Sequence, residues 1–154
     1  MLNMFNFTLF GTPGPAEISI IFLIVSIFLG IFLLPLIFYL ITLQKTLSEI
    51  RPENRLMPPA NVWLSLIPIF GLAWQFVIVS NLTASLKAEF NSRGVKYNPE
   101  NLGYGIGIAY SVLFCTSIIP FLGIGASIAG LVCWIIYWVK ISNCKLQLAE
   151  SHKS

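Results

Sequence analysis

The sequence predicts an all-α integral membrane protein with about four transmembrane helices, on three observations. Charged residues make up only 10% of the 154 residues and hydrophobic residues 56%, whereas a soluble domain carries roughly 25% charge. The charges are segregated, because no Asp, Glu, Lys, Arg or His falls within 18–44, 56–86 or 101–139. Each of these windows reaches the roughly 20 helical residues that cross a hydrocarbon core about 30 Å thick, and the third is about long enough for two crossings. A soluble domain of this size has too little interior to hide that much apolar surface.

Residues 1–17 form an N-terminal lead-in. Gly11-Thr-Pro-Gly-Pro15 is rich in helix breakers, and Phe5, Phe7, Leu9 and Phe10 precede it as candidates for the membrane interface. Met1–Glu17 contains no Lys or Arg, so the basic start of a signal peptide is missing and the first span is expected to persist as an anchor. That span occupies about 18–44 in a helix running from near Ala16 to about Leu47. All but seven of its residues are Ile, Leu, Val or Phe. Each of these favours insertion by roughly 0.3–0.6 kcal/mol near the bilayer centre. Gly30 and Pro35 lie inside, and Pro35 predicts a bend near 31–35, since proline removes a donor and crowds the preceding turn.

The polar linker 45–60 follows, framed by Arg51-Pro52 and Pro58-Pro59, where helix is disfavoured before each proline. A second span over about 61–86 is interrupted at Pro68–Gly71. Beyond it, Leu82, Leu86 and Phe90 recur every four residues with Lys87 and Glu89 between them, an amphipathic extension past the membrane surface. A polar loop over 87–101 leads to two spans, about 102–119 and 123–141, that form a hairpin turning at Pro120–Gly125. Trp134, Tyr137 and Trp138 crowd its far end beside Lys140, as expected of the headgroup zone. Residues 18–146 are thus read as a single helical membrane domain and 147–154 as a polar tail.

Two segments match. Ser65-Leu-Ile-Pro-Ile-Phe-Gly71 corresponds to Ser117-Ile-Ile-Pro-Phe-Leu-Gly123, and Val77-Ile-Val-Ser-Asn81 corresponds to Val139-Lys-Ile-Ser-Asn143. The same order of matches predicts an internal repeat. Topology then has two solutions under the preference of basic residues for the cytoplasm. Four full spans with both ends inside place Lys87, Arg93, Lys96, Lys140, Lys145 and Lys153 inside and Lys45, Arg51 and Arg55 outside. A dip that returns at Pro68–Gly71 places all nine on one side and the N-terminus outside. Length tips the balance to four spans, the second kinked, because the middle window is too short for two α-helical crossings.

Chemistry-bearing groups are sparse. Functional intramembrane sites usually carry an ionisable residue, and here the windows carry none. HExxH and GxSxG motifs are missing, and Cys115, Cys133, Cys144 and His152 have no zinc spacing. No catalytic, metal or cofactor residue is therefore expected, and no basic run points to nucleic acid. What remains is packing. Gly103, Gly107, Ser111 and Cys115 are spaced by four, and Gly123, Gly125 and Gly130 continue the theme with Ser127 and Ala129. Small residues at this spacing let helix backbones approach in lipid. Gln75, Ser80 and Asn81 are the polar intramembrane candidates, expected to face other helices.

Asn54-x-x-Met57-x-Pro59, Val62-Trp63-Leu64-x-Leu66-Ile67-Pro68-x-Phe70-x-x-x-Trp74 and Ser85-Leu86-x-x-Glu89-Phe90, with Ser117–Gly123 and Trp134–Lys140, resemble a family of small multi-span bacterial inner-membrane proteins without an established function. The resemblance covers about residues 44–146. It implies a multi-pass protein of the inner membrane and brings no activity. The sequence thus points to a non-enzymatic membrane component acting through helix packing, as a small homo-oligomer or an accessory subunit. Its partners would be the lipid bilayer and another membrane protein or a second copy. The alternative is an oligomeric pore lined by Gln75, Ser80 and Asn81.

Overall fold

In a computed structural model of the chain, residues 14–67, 69–119 and 123–151 are described. The start of the lead-in, Pro68, Pro120 and His152 lie outside them. The described residues are helical: α1 (Pro15–Glu49), α2 (Phe70–Arg93), α3 (Tyr104–Thr116) and α4 (Gly123–Glu150), with 3-10 segments at Pro52–Asn54, Pro59–Leu66 and Pro99–Leu102. The chain divides into two units, Met1–Ile37 and Phe38–Ser154.

The helix α1 has 35 residues. It opens with Pro15 at its first position, where the missing N–H is no loss, and the Glu17 carboxylate accepts from the Gly14 N–H at 3.1 Å, the backward half of a capping box. Pro35 is accommodated inside it. Its apolar window has a mean hydropathy of 3.1 and none of it is buried, so in water these faces would be uncovered. The helix α4 has 28 residues and its window has a mean hydropathy of 1.8. These two helices are long and apolar enough to cross a membrane.

The stretch expected as a second span is divided. Residues 55–67 form an arm of extended and 3-10 backbone, and α2 begins only at Phe70. Ile69, the N-cap of α2, stands at φ 64°, a conformation that strains a β-branched residue. The arm and α2 run side by side in opposite directions. Asn54 Nδ2 donates to Glu89 at 2.7 Å, the Leu56 N–H to Ser85 Oγ at 2.9 Å, and Trp74 Nε1 to the Asn61 carbonyl at 2.8 Å. The two ends of the uncharged window 56–86 are therefore hydrogen-bonded to one another. A 3-10 helix rises about 2.0 Å per residue and an α-helix about 1.5 Å. The short arm thus keeps pace with the longer α-helical run from Gly71 to Glu89. Pro52, Pro58 and Pro59 also remove donors that irregular backbone would otherwise have to satisfy.

The expected hairpin of 102–141 is present, but its first helix, α3, has 13 residues, about 20 Å of helix. It packs antiparallel on α4, with Gly103 against Tyr137 and Gly130 against Leu113 and Phe114. On its other side α3 meets α2, where a Cβ on Gly107 would fall 2.5 Å from Val79 Cγ1.

The described ends of the matching segments Ser65–Gly71 and Ser117–Gly123 make similar contacts. Ser65 Oγ donates to the Val62 carbonyl at 2.6 Å and Ser117 Oγ to the Phe114 carbonyl at 2.7 Å. A Cβ on Gly71 would lie 2.1 Å from the Ser65 carbonyl oxygen, and one on Gly123 would lie 2.9 Å from that of Ser117. In both segments the glycine lies against the carbonyl of the serine six residues earlier, closer than a side chain permits.

Candidate functional site

Two polar clusters stand out in the second unit. One lies among the apolar helices. Tyr110 donates to Gln75 Oε1 at 2.7 Å, and the Tyr39 and Tyr110 hydroxyls are 2.9 Å apart. With the Tyr110 proton directed to Gln75, Tyr39 is the donor to Tyr110. Tyr39 and Tyr110 are both buried. The chain of bonds links α1, α3 and α2, and it satisfies groups that are costly to leave unpaired away from water. Around it, Trp134 and Trp138 pack edge-on to Tyr39 at 5.2 and 6.1 Å between ring centroids. The Tyr137 ring packs over Gly103 and Gly107.

The hierarchy of these bonds is testable. Tyr110→Phe should cost about 1–3 kcal/mol, because it leaves both the Tyr39 hydroxyl and the Gln75 carbonyl unpaired. Tyr39→Phe should cost less, since the Tyr110–Gln75 bond survives. Unfolding in mild detergent by titration with a denaturing surfactant measures both.

The other cluster lies where the ends of α1, α2 and α4 meet. Glu89, with no exposed surface, accepts from Asn54 Nδ2 at 2.7 Å, Arg93 Nε at 2.6 Å, Arg51 Nε at 3.1 Å and the Arg51 N–H at 3.2 Å. Arg93 then reaches outward to the Leu148 carbonyl, Ser151 Oγ and the Glu49 carbonyl. It thereby supplies cationic donors to carbonyls at the C-terminal ends of α4 and α1. Arg51 and Asn54 also donate to Ser92 Oγ. Burial pushes the Glu89 carboxyl upward, but the donors from Asn54, Arg93 and Arg51 outweigh it and hold the group below its ordinary value. The cluster clamps these helix ends together: among the described residues, the carboxylate is held by Arg51, Asn54 and Arg93.

Of the packing residues read from the sequence, Gly103, Gly107, Ser111 and Gly130 are buried in helix contacts, and Ser111 Oγ bonds back to the Gly107 carbonyl at 2.8 Å. Gly123 serves the turn instead. Gly125 is exposed, with nothing within 4 Å of its Cβ position, so the same spacing does not bring it into the chain's own packing. Gln75 joins the tyrosine cluster, whereas Ser80 and Asn81 lie half-buried on α2 outside it. Arg51, Asn54, Glu89 and Arg93 were missed, although Glu89 follows Leu82 by seven residues and Leu86 by three. That spacing puts it on the apolar stripe.

Among the described residues no three of His, Cys, Asp and Glu are grouped as a metal site. Comparison with family models, curated proteins and solved structures yields no match.

Proposed function

We propose that the chain is a non-enzymatic membrane component that acts through helix packing, as a small homo-oligomer or as an accessory subunit of a membrane assembly. The observation that carries this reading is that the polar side chains with the strongest chemistry are bonded to one another. Glu89 is held by Arg51, Arg93 and Asn54, and Tyr39 and Tyr110 are held with Gln75. The pore reading is weakened by the same fact, since its first lining candidate, Gln75, accepts from Tyr110. The resemblance to small bacterial proteins supports an inner-membrane location.

The topology that accompanies this reading has α1 crossing the bilayer and two hairpins, the arm with α2 and α3 with α4, each entering and leaving by one face. The Asn54–Glu89 bond supports it over four spans, because four spans would put these residues on opposite faces. So does length. Gly71 to Lys87 gives about 24 Å of helix, against about 30 Å of hydrocarbon. The uncharged run of α1 gives about 40 Å. All nine basic residues then share the cytoplasmic face.

Two experiments test this. Glu53, exposed between the first helix and the arm, is replaced by cysteine in a chain lacking Cys115, Cys133 and Cys144. Impermeant thiol reagent should label it only from the cytoplasmic side, and labelling from the opposite side would restore four spans. Crosslinking in native membranes should capture a second copy or a membrane partner. A chain that stays monomeric and captures nothing would defeat the packing role.

A further inference from the structure

We infer that the seam between α1 and α4 holds the phosphate of an anionic phospholipid, with Lys45 and Lys145 as its cationic contacts. The inference rests on the membrane embedding proposed above. The two helices meet through large side chains: Trp138 Nε1 donates to Thr42 Oγ1 at 3.0 Å, and Tyr39 packs against Trp134 and Trp138. Indole and phenol rings at one level beside lysines mark the glycerol and headgroup layer.

Lys45 follows Thr42 by three residues and Lys145 follows Trp138 by seven. Both therefore rise on the faces that form the seam, on the side of the Glu89 clamp. On the other side of the Trp138–Thr42 contact from the lysines, Phe38 and Leu131 precede it by four and seven residues on those same faces and are 59% and 40% exposed, a surface suited to acyl chains. Neither lysine has an anionic partner among the described residues. The ion pairs there are Arg51 with Glu53 and Glu89, and Arg93 with Glu89, while Lys140 is bonded to the Glu100 carbonyl. Glu49, one turn beyond Lys45, is not paired with it. The Thr42 hydroxyl donates to the Phe38 carbonyl and accepts from Trp138, so the lysines are the contacts left to a phosphate. An adjacent acyl surface selects a lipid over a free anion.

The test uses the full chain in nanodiscs of phosphatidylcholine, with and without phosphatidylglycerol, and with inorganic phosphate as a separate addition. Phosphatidylglycerol should raise the unfolding midpoint by roughly 4–8 °C, and phosphate should not. The double variant Lys45→Gln/Lys145→Gln should lose most of the rise. Lys87→Gln, which removes an exposed lysine of α2 away from the seam, should keep it. Equal midpoints in the two lipids, an equal rise with phosphate alone, or a double variant that keeps the rise would each overturn the inference. Alkaline carbonate washing separates the two levels. A chain released by carbonate ends the embedding itself, while a chain that stays in the membrane yet ignores phosphatidylglycerol ends only the lipid site.

Discussion

Gly71→Ala should open the first hairpin. The added Cβ would lie 2.1 Å from the Ser65 carbonyl oxygen and 2.8 Å from its carbon, and both are backbone atoms that no rotamer change can move. Overpacking a core costs about 1–3 kcal/mol when side chains can give way. Here the turn itself must shift, which places the cost at the upper end of that range or beyond it. A shifted turn pulls the arm out of register, and the bonds from Asn54 to Glu89, Leu56 to Ser85 and Trp74 to Asn61 weaken together. Gly125→Ala is the matched control, since that position is open and alanine is the better helix former. Surfactant-titrated unfolding should show a large loss for the first and none for the second. Gly123→Ala, at 2.9 Å from the Ser117 oxygen, should fall between them. If Gly71→Ala is as stable as the parent, the turn is not closed on Ser65.

The contrast between Gly71 and Gly125 also marks how far sequence reasoning reaches. The bounds of α1 are legible because their determinants are local: a proline at the first position, an acidic residue in the first turn and an unbroken apolar run. Gly103, Gly107 and Gly130, read as helix-packing candidates from their spacing, are buried against neighbouring helices. The same spacing is silent about which face meets a helix of this chain, and Gly125, grouped with them, is exposed. The second span is harder to read, for a reason of backbone. A purely α-helical rise makes residues 56–86 too short to run out and back over the length of α2. The arm over 55–67 is extended and 3-10, which matches the length of α2 in fewer residues, and its prolines are the signal. Glu89 reads as part of the solvated end of α2 because its partners Arg51 and Asn54 stand 38 and 35 residues away. Contacts at that separation leave no periodic trace.

Glu89→Ala should be the most damaging substitution of a polar side chain. It removes the shared acceptor of Arg51, Arg93 and Asn54 and takes the buried carboxylate away from Arg93, whose side chain is only 11% exposed. Breaking a buried pair in this way costs about 3–5 kcal/mol. The Arg51 side chain is 42% exposed and regains water, so its share is small, and a loss near the lower end, about 3 kcal/mol, is expected. Glu53→Ala, which removes the exposed partner of Arg51, should change stability by less than about 1 kcal/mol. The sign of the pH dependence follows from the depressed titration of Glu89. The folded chain holds its proton more weakly than the unfolded chain, so the contribution is complete above the ordinary glutamate value. It is lost as pH falls from there through the lower value in the folded state. Glu89→Gln cannot titrate and should lack this acid limb, being less stable than the parent at neutral pH and approaching it as the parent loses its clamp. Parallel curves for the two proteins across that window would mean that the carboxylate charge is not what ties α1, α2 and α4 together.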